Sequence, residues 1–256
     1  MKNYLIRIIA FACLSVVFIS CSENEDPGDD RINLSDTEIA LNFGTDFKVD
    51  AAFNREGYNT NSLVWTIEDT QVAKVNNTGL VTAGLIGETN MTVKTSDGVY
   101  SESLKVTVLP TETLFEDPIL NFGESKAFIK ENESRSIAEE EPESLLYMGE
   151  NENVRSILYF FENAMLFGSA VLLKTDDFTA EKAVNHLNQR YKVIGTGDDI
   201  YFFERGNLSV GITADEEVGL IIIYFPKTDS NNSGRVMNFK DRLDQIKMKS
   251  GLDNQL

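Results

Sequence analysis

Apolar and polar residues alternate along residues 32–109, and turn-forming residues interrupt the alternation about every eight to twelve positions. Ile39, Leu41 and Phe43, for example, fall on one side of a strand, and a Gly-Thr-Asp turn follows them. Successive side chains of a strand point to opposite faces of the sheet, so a period of two indicates strands with one buried face. The pattern predicts an all-β sandwich over residues 32–109.

The periodicity changes after a short acidic connection at residues 110–118. Residues 134–144 hold four glutamates, and we expect them to form an exposed loop. The elements predicted around this loop are helices at 123–132 and from a cap at Asp177 or Thr179 to about 191, and strands at 145–147, 157–161, 166–173, 192–194, 200–203, 208–213 and 220–225. We therefore predict a separate α+β domain at residues 119–234, with an antiparallel sheet and helices on one face.

This second domain contains a short internal sequence repeat, an echo of one tetrapeptide. The tetrapeptide Tyr-Phe-Phe-Glu occurs at residues 159–162 and again at 201–204, with a leucine (Leu166 or Leu208) shortly after each copy. The predicted order of helix, three strands, helix and four strands fits two related halves that share one sheet. Aromatic strand residues also recur by chance, so the echo alone leaves the duplication open.

The last part of the chain has helical spacing. Val236, Phe239, Leu243 and Ile246 follow one another at intervals of three, four and three, and basic residues surround them. The stripe predicts an amphipathic C-terminal helix at residues 235–256. A basic amphipathic helix can lie on a membrane or a partner, but in so acidic a chain we expect it to dock on the sheet of its own domain or to stay partly mobile.

The N-terminus has the layout of a secretory signal peptide over residues 1–20. Two basic residues and no acidic one precede or flank an apolar run that is too short to cross a bilayer as a helix. The run ends in Val17-Phe18-Ile19-Ser20-Cys21, which resembles a bacterial lipobox. The resemblance implies that Cys21 becomes a lipid-modified N-terminus that anchors the protein to a membrane. The alternative is a secreted protein with a cysteine there by chance.

Residues 21–31 are predicted to form an acidic tether. Five acidic residues and no apolar side chain follow Cys21 before Arg31, so the segment has nothing to bury and its charges repel one another. Acidic residues directly after a lipidated cysteine also resemble the export signal of Bacteroidota-type surface lipoproteins. That resemblance implies a lipid-anchored protein of the outer membrane that faces the cell exterior.

A longer resemblance covers residues 32–109. The run from Val64 to Gly84 holds a tryptophan, a Val-Ala-x-Val strand and a Gly-x-Val-Thr-Ala hairpin, and Gly87 precedes the next strand. This spacing resembles the bacterial Ig-like domain of group 2, the module of intimin and invasin stalks. One departure is Thr66-Ile67, where the family usually has small serines. The resemblance implies a sandwich that serves mostly as a spacer and that joins adhesion or carbohydrate binding in some members; the second domain resembles no family that its motifs can name.

Three residues of the first domain are predicted to be structural. Trp65 is the only tryptophan, and its place in an alternating strand predicts a plug in the core of the sandwich. Gly79 and Gly87 are predicted to allow positive φ at turns. We expect Gly79→Val to lower the melting temperature of this domain.

Composition narrows the possible partners. The chain has 41 acidic and 23 basic residues, a net charge of −18, and nucleic-acid binding requires clustered Lys and Arg, so we expect no nucleic-acid partner. The chain has two cysteines; one lies in the predicted signal peptide and the other is Cys21, so we expect neither a disulfide nor a cysteine-ligated metal.

Catalytic chemistry finds little support in the sequence. His186 is the only histidine and lies inside a predicted helix, so we interpret it as structural. Acidic pairs at 176–177, 198–199 and 215–217 are candidates for calcium binding or glycosidase chemistry, but none has EF-hand spacing. We expect a protein without cofactor, metal or enzymatic activity.

The function that we expect is non-catalytic binding or cell adhesion by a surface-exposed lipoprotein of the outer membrane. We expect the protein to be held on the membrane by its lipid anchor and to bind an unknown protein or glycan. An alternative is a glycan-binding accessory lipoprotein of a polysaccharide-uptake system. In that case exposed Tyr147, Tyr159 or Tyr201 would stack on sugar rings.

Overall fold

The structure is a computed structural model that describes residues 31–53, 62–216, 218–227 and 232–249. The predicted signal peptide, Cys21 and all of the predicted tether except Arg31 lie outside the described residues. Within the described ranges, no helix has both the length and the apolar character of a membrane span.

The first domain consists of strands alone in its described part. The strands are β1 Ile32–Leu34, β2 Glu38–Asn42, β3 Asp46–Lys48, β4 Ala51–Phe53, β5 Val64–Ile67, β6 Ala73–Val75, β7 Leu80–Ala83, β8 Gly87–Lys94 and β9 Ser101–Leu109. One sheet has the order β2-β9-β8-β5, a second has the order β3-β7-β6, and β1 pairs with β4. The predicted all-β sandwich is confirmed.

The core of the sandwich lies between the sheets. Apolar residues of β2, β7, β8 and β9 form its main buried cluster, and a smaller cluster joins Ile32, Phe53, Leu63 and Val93. Trp65 packs against both clusters. Its partly buried side chain therefore links the two parts of the core.

The second domain is built on one sheet. Its elements are α1 Lys126–Asn132, β10 Ile137–Glu141, β11 Ser144–Met148, β12 Val154–Glu162, β13 Met165–Leu173, α2 Asp177–Arg190, β14 Lys192–Gly197, β15 Ile200–Arg205, β16 Leu208–Asp215, β17 Gly219–Pro226 and α3 Asn232–Lys249. The eight strands are antiparallel and follow the order β10-β11-β12-β13-β17-β16-β15-β14.

This order reflects two similar halves. Each half runs as one helix followed by four strands, and the last strands of the halves, β13 and β17, pair at the centre of the sheet. The topology agrees with two halves that share one sheet, with four strands rather than three in the first. The repeated tetrapeptide does not mark equivalent positions, because it lies in the third strand of the first half and the second strand of the second.

Both faces of the sheet are covered. On β12, Tyr159 and Phe161 belong to the buried cluster that includes residues of α1 and α2, whereas Phe160 belongs to the cluster that includes Phe239 and Leu243 of α3. The two helices inside the predicted α+β domain, α1 and α2, thus share one face, and the C-terminal helix, which was expected to dock on this sheet, covers the other face. The strands are apolar on both sides, so a second layer must exclude water from this other face.

Two local predictions also need correction. Part of the predicted acidic loop forms the edge strand β10, whose five residues are all exposed. An exposed edge strand needs no apolar face, and glutamates on it discourage pairing with another chain. Helix α2 is capped by neither predicted residue, since Asp176 is the N-cap and accepts a hydrogen bond from Thr179 N.

Among the described residues, the first domain joins the second at the end that holds Ile86 and Gly87. Ile32 packs beside Val93 at the far end of β8, where the described chain begins, whereas Ile86 and Gly87 contact the second domain at the other end. Strand β9 runs between the two ends, which at about 3.4 Å per residue corresponds to about 27 Å.

Candidate functional site

The three tyrosines predicted as binding residues differ in exposure. Tyr147 and Tyr159 are 1% and 0% exposed, so the expectation that they offer a face to a sugar is wrong. Both point into the cluster beneath α1 and α2 because that face of the sheet is covered. Tyr201 of β15 is 51% exposed and remains available.

The predicted structural glycines have positive φ. Gly79 has φ +84°, and Gly87 has φ +142°. A Cβ at Gly79 would lie 2.6 Å from the Val49 carbonyl oxygen and 3.0 Å from Cζ2 of Trp65, and one at Gly87 would lie 3.0 Å from Nη2 of Arg205. Gly79 therefore belongs to the core beside the tryptophan, whereas Gly87 belongs to the joint between the domains.

The connection at residues 110–118 lies against the second domain. Leu114 and Phe115 are buried in the cluster beneath α2. Leu114 N donates to Nδ1 of His186 at 3.2 Å, which leaves the Nε2 proton to be donated to Asp117 at 3.4 Å. Burial lowers the pKa of His186 and outweighs the opposing effect of Asp117. The histidine is a buried neutral group that holds the connection on α2.

Asp117 also accepts hydrogen bonds from two tyrosine hydroxyl groups. Tyr191 donates to it at 3.2 Å and Tyr224 at 3.5 Å. Burial and the charge of Asp117 raise the pKa of both tyrosines, so they stay protonated as donors. This network ties the connection to α2 and to the centre of the sheet.

A second ionic cluster fixes the middle of the connection, because Glu116 N donates to Glu150 of this cluster at 2.9 Å. Arg135 bonds Glu133 at 3.0 Å through Nη1 and Glu150 at 2.7 Å through Nε, and the Arg135 side chain is 7% exposed. Tyr159 donates its hydroxyl to Glu133 and accepts from Ile119 N at 3.0 Å. Both carboxylates thus pair with the one guanidinium, and such pairing offsets part of the free-energy cost of taking the charges out of water.

The two domains meet through hydrogen bonds that involve both backbone and side-chain groups. Ile86 N donates to the Gln189 carbonyl oxygen at 2.7 Å, and Arg205 Nη1 donates to the Ile86 carbonyl oxygen at 2.9 Å. The Gln189 side chain accepts from Thr111 N at 2.7 Å. One turn of the first domain, one helix end and the start of the connection are thus held together.

Beside this joint lies an open cleft between the domains. A cavity of about 620 Å³ and a neighbouring one of about 580 Å³ share Phe43 and Asn188 in their walls. The first cavity is lined by Phe43, Thr70, Gln71, Lys74, Thr82, Ala83, Gly84 and Leu85 of the first domain and by Asn188, Tyr191, Lys192 and Val193 of the second. The cleft is the candidate functional site.

Two exposed apolar side chains lie on the strands next to the cleft. Val193, which lines the cleft, is 50% exposed and pairs with Phe203, which is 1% exposed. Tyr201 lies two residues from Phe203 on β15, and because side chains two apart share a face, Tyr201 lies on the same side of the sheet as α2. Tyr201 is 51% exposed and is not among the residues that line the two cavities.

The acidic pairs considered from sequence have local partners. Asp176 caps α2, Asp198 bonds Lys240 at 2.7 Å, and Asp215 bonds Lys247 at 2.8 Å. Asp198 and Asp199 are the central residues of a hairpin turn with positive φ. Within the described ranges no group of three or more His, Cys, Asp or Glu residues is placed to hold a metal.

A comparison with known families concerns the first domain. Residues 30–108 match the bacterial Ig-like domain (group 2) family. The first domain is a bacterial Ig-like domain. The match agrees within two residues with the bounds predicted from the Trp, Val-Ala-x-Val and Gly-x-Val-Thr-Ala pattern.

Solved structures similar to the chain include the S-layer protein SbsC, domains 5-6, at 12% identity, TM-score 0.28 and coverage of 79% of this chain and 86% of that one. Human Protocadherin-24 EC1-2 has 12% identity, TM-score 0.26 and coverage of 79% and 98%. For surface layer protein SbsC, domains 1-6, identity is 13% and the TM-score 0.28, and this chain spans 21% of its length. These TM-scores are too low to indicate a shared overall fold. No curated protein matches the chain.

The cleft was not predicted, because no local pattern marks it. Lys74 lies in the Ig-like domain and Lys192 in the second domain, and only the joint brings them to one cleft. Phe43 was interpreted as a strand residue of the sandwich face, yet it lines both cavities. The available signal in the sequence was weak: a lysine, Lys192, at the start of a predicted strand in a chain rich in carboxylates.

Proposed function

We propose that this protein is a lipoprotein of the outer membrane, anchored through Cys21 and displayed on the cell surface, with a non-catalytic binding or adhesion role. The Ig-like domain is the spacer, and the second domain, with the adjoining cleft, is the recognition part. A bacterial Ig-like domain is consistent with a surface or adhesion role.

The observation that carries this proposal is that the chain enters the Ig-like domain at one end and the second domain contacts the opposite end. The described chain enters it at the Ile32 end, and the second domain contacts the opposite end through Ile86 and Gly87. A chain anchored near residue 21 therefore carries its second domain away from the anchor by the length of the sandwich. Such an arrangement suits presentation of a binding surface.

The local roles of the acidic residues support binding rather than catalysis. Asp176 caps a helix, and Asp198 and Asp215 pair with lysines of α3. His186 is buried and satisfied by Leu114 N and Asp117. General acid–base catalysis needs such groups within reach of a substrate, and these already have structural partners.

Antibody labelling of intact cells tests the anchor and the display together. We expect Cys21→Ala to abolish membrane retention and surface labelling, because the lipid is attached at this sulfur. Cys13→Ala is the matched control and should label like wild type, since residue 13 lies in the predicted signal peptide. Retention of Cys21→Ala on the membrane would contradict the anchor, and labelling only after lysis would contradict surface display.

Exposed Tyr201 favours a second candidate, a glycan-binding accessory role in a polysaccharide-uptake system. An exposed aromatic ring suits stacking on a sugar. A glycan array separates the two candidates: reproducible glycan binding by the full chain favours the accessory role, and binding to none of the glycans favours a protein partner.

A further inference from the structure

The cleft between the domains has the size of a ligand site. Its two cavities, of about 620 and 580 Å³, each fall within the usual range of about 300–1,000 Å³ for ligand pockets. Because both share Phe43 and Asn188, they form one groove that crosses the joint. An open groove suits a section of a chain-like ligand.

Charge distinguishes the groove from the rest of the protein. The whole chain has a net charge of −18, yet among the described residues no acidic residue lines the larger cavity, and one, Glu112, lines the smaller. Lys74 and Lys192 line it, one from each domain, and neither has an ion-pair partner in the described part of the chain. Lysines that do have acidic partners are Lys48, Lys105, Lys126, Lys130, Lys174, Lys227, Lys240 and Lys247.

Two lysines and no carboxylate line the larger cavity among the described residues. At physiological ionic strength the Debye length is about 8 Å, so carboxylates farther away than this contribute little to the potential there. We therefore expect a local positive potential in the larger cavity although the protein as a whole is acidic. An anionic ligand fits that potential, and a cationic one does not.

The remaining polar groups match sugar hydroxyls. Gln71 and Asn188 supply amides, and Thr70 and Thr82 supply hydroxyls, all in the wall of the larger cavity. Amides and hydroxyls both donate and accept, as the neighbouring hydroxyls of a sugar require. The ring of Phe43 offers an apolar face for a sugar ring.

We propose that this groove binds a polysaccharide whose sugars carry carboxylate groups. The inference rests on the proposed binding role and specifies its ligand class and its site. Lys74 and Lys192 pair with carboxylates, and the amides and hydroxyls bond the sugar hydroxyls. Both domains supply contacts, so the site exists only while the joint between them is intact.

The test measures binding of polygalacturonate to the full chain in a neutral detergent by isothermal titration. Dextran serves as the neutral polysaccharide and poly-L-glutamate as the acidic peptide. We expect polygalacturonate to bind, to bind more weakly at 0.5 M than at 0.05 M NaCl, and to be preferred over both other polymers. Binding of dextran with equal affinity would overturn the role of charge, and preference for poly-L-glutamate would overturn the sugar class.

Charge reversal locates the site. We expect Lys74→Glu combined with Lys192→Glu to weaken polygalacturonate binding about tenfold or more, because two exposed ion pairs become two repulsions. Lys94→Glu is the matched control, since Lys94 is an exposed lysine without an acidic partner in the described ranges and lies at the far end of β8. Its affinity should equal that of wild type, and Lys74→Arg with Lys192→Arg should retain binding.

Equal weakening by the double reversal and by Lys94→Glu would overturn the location, and absence of polygalacturonate binding by wild type would overturn the inference. Neither result contradicts the proposed surface display if antibody labelling of intact cells still depends on Cys21. Failure of this ligand assignment is thus distinguishable from failure of the proposed function. Unchanged Trp65 fluorescence in each variant shows that the Ig-like domain remains folded.

Discussion

Replacement of Gly79 by alanine tests whether the core of the Ig-like domain is as tight as the structure shows. The residue has φ +84°, and its missing Cβ would lie 2.6 Å from the Val49 carbonyl oxygen. The turn has little freedom to relax, because Asn76 Oδ1 accepts from Thr78 N at 2.9 Å and from Leu80 N at 3.0 Å. Val49 N also donates to the Gly79 carbonyl oxygen at 3.0 Å.

The expected loss of stability has two parts. A left-handed backbone costs a non-glycine residue about 1–2 kcal/mol, and a forced contact in a packed core costs about 1–3 kcal/mol more. Gly98→Ala is the matched control, since Gly98 has φ +72° and no atom within 4 Å of its Cβ position. Alanine also reduces the entropy of the unfolded chain at both sites, so that effect cancels in the comparison. We therefore expect Gly79→Ala to unfold about 1–3 kcal/mol more easily than Gly98→Ala.

Urea unfolding followed by tryptophan fluorescence measures this difference. Trp65 is the only tryptophan and packs in the Ig-like core, so the signal reports unfolding of that domain alone. For a domain of this size, 1 kcal/mol corresponds to a shift in melting temperature of about 4–8 °C. Equal losses in Gly79→Ala and Gly98→Ala would refute the close approach of residue 79 to Val49 and Trp65.

Two further predictions concern the second domain. Burial lowers the pKa of His186 in the folded state, so folding disfavours its protonation; stability should be complete above the unfolded pKa of about 6.5 and should fall as pH drops below it, by at most about 1.4 kcal/mol per pH unit. Urea unfolding followed by circular dichroism at pH 7.5 to 5.5 measures this slope, and an equal slope in His186→Gln would contradict it. Gly211→Ala should destabilise the docking of α3 by about 1–3 kcal/mol, because the new Cβ would lie 2.3 Å from the Phe239 ring. Faster proteolysis of α3 checks this, and Gly168→Ala, whose Cβ meets only the Tyr224 carbonyl oxygen at 3.5 Å, should behave like wild type.

The sandwich was predictable because its longer strands, such as β8 and β9, bury one face. On β8, Met91 and Val93 are buried and the residues between and beside them are more exposed, which produces the period of two that the sequence shows. Local motifs then specified its turns, since a tight hairpin or a buried tryptophan depends on few neighbours. Such local features can be predicted from the sequence without knowledge of the rest of the chain.

The second domain was harder to predict because its strands bury both faces. Residues 157–161 and 220–225 are continuous apolar runs, and alternation therefore gives no information about which side a helix covers. Such runs were themselves the signal that two layers are needed, and α3 supplies the second one. The same burial explains Tyr147 and Tyr159, whose aromatic character suggested a binding surface but whose strands left them no exposed face.

Gly87 shows how one residue can satisfy a local and a distant constraint. The sequence indicates a glycine that begins a strand, and its φ of +142° agrees with that interpretation. The structure adds that Nη2 of Arg205 lies 3.0 Å from the position of the missing Cβ, while Nη1 of the same arginine bonds the Ile86 carbonyl oxygen. A side chain at residue 87 would therefore strain the turn and press on the arginine that joins the domains. Because the proposed groove exists only where the domains meet, the conformation of this turn is coupled to the shape of the binding site.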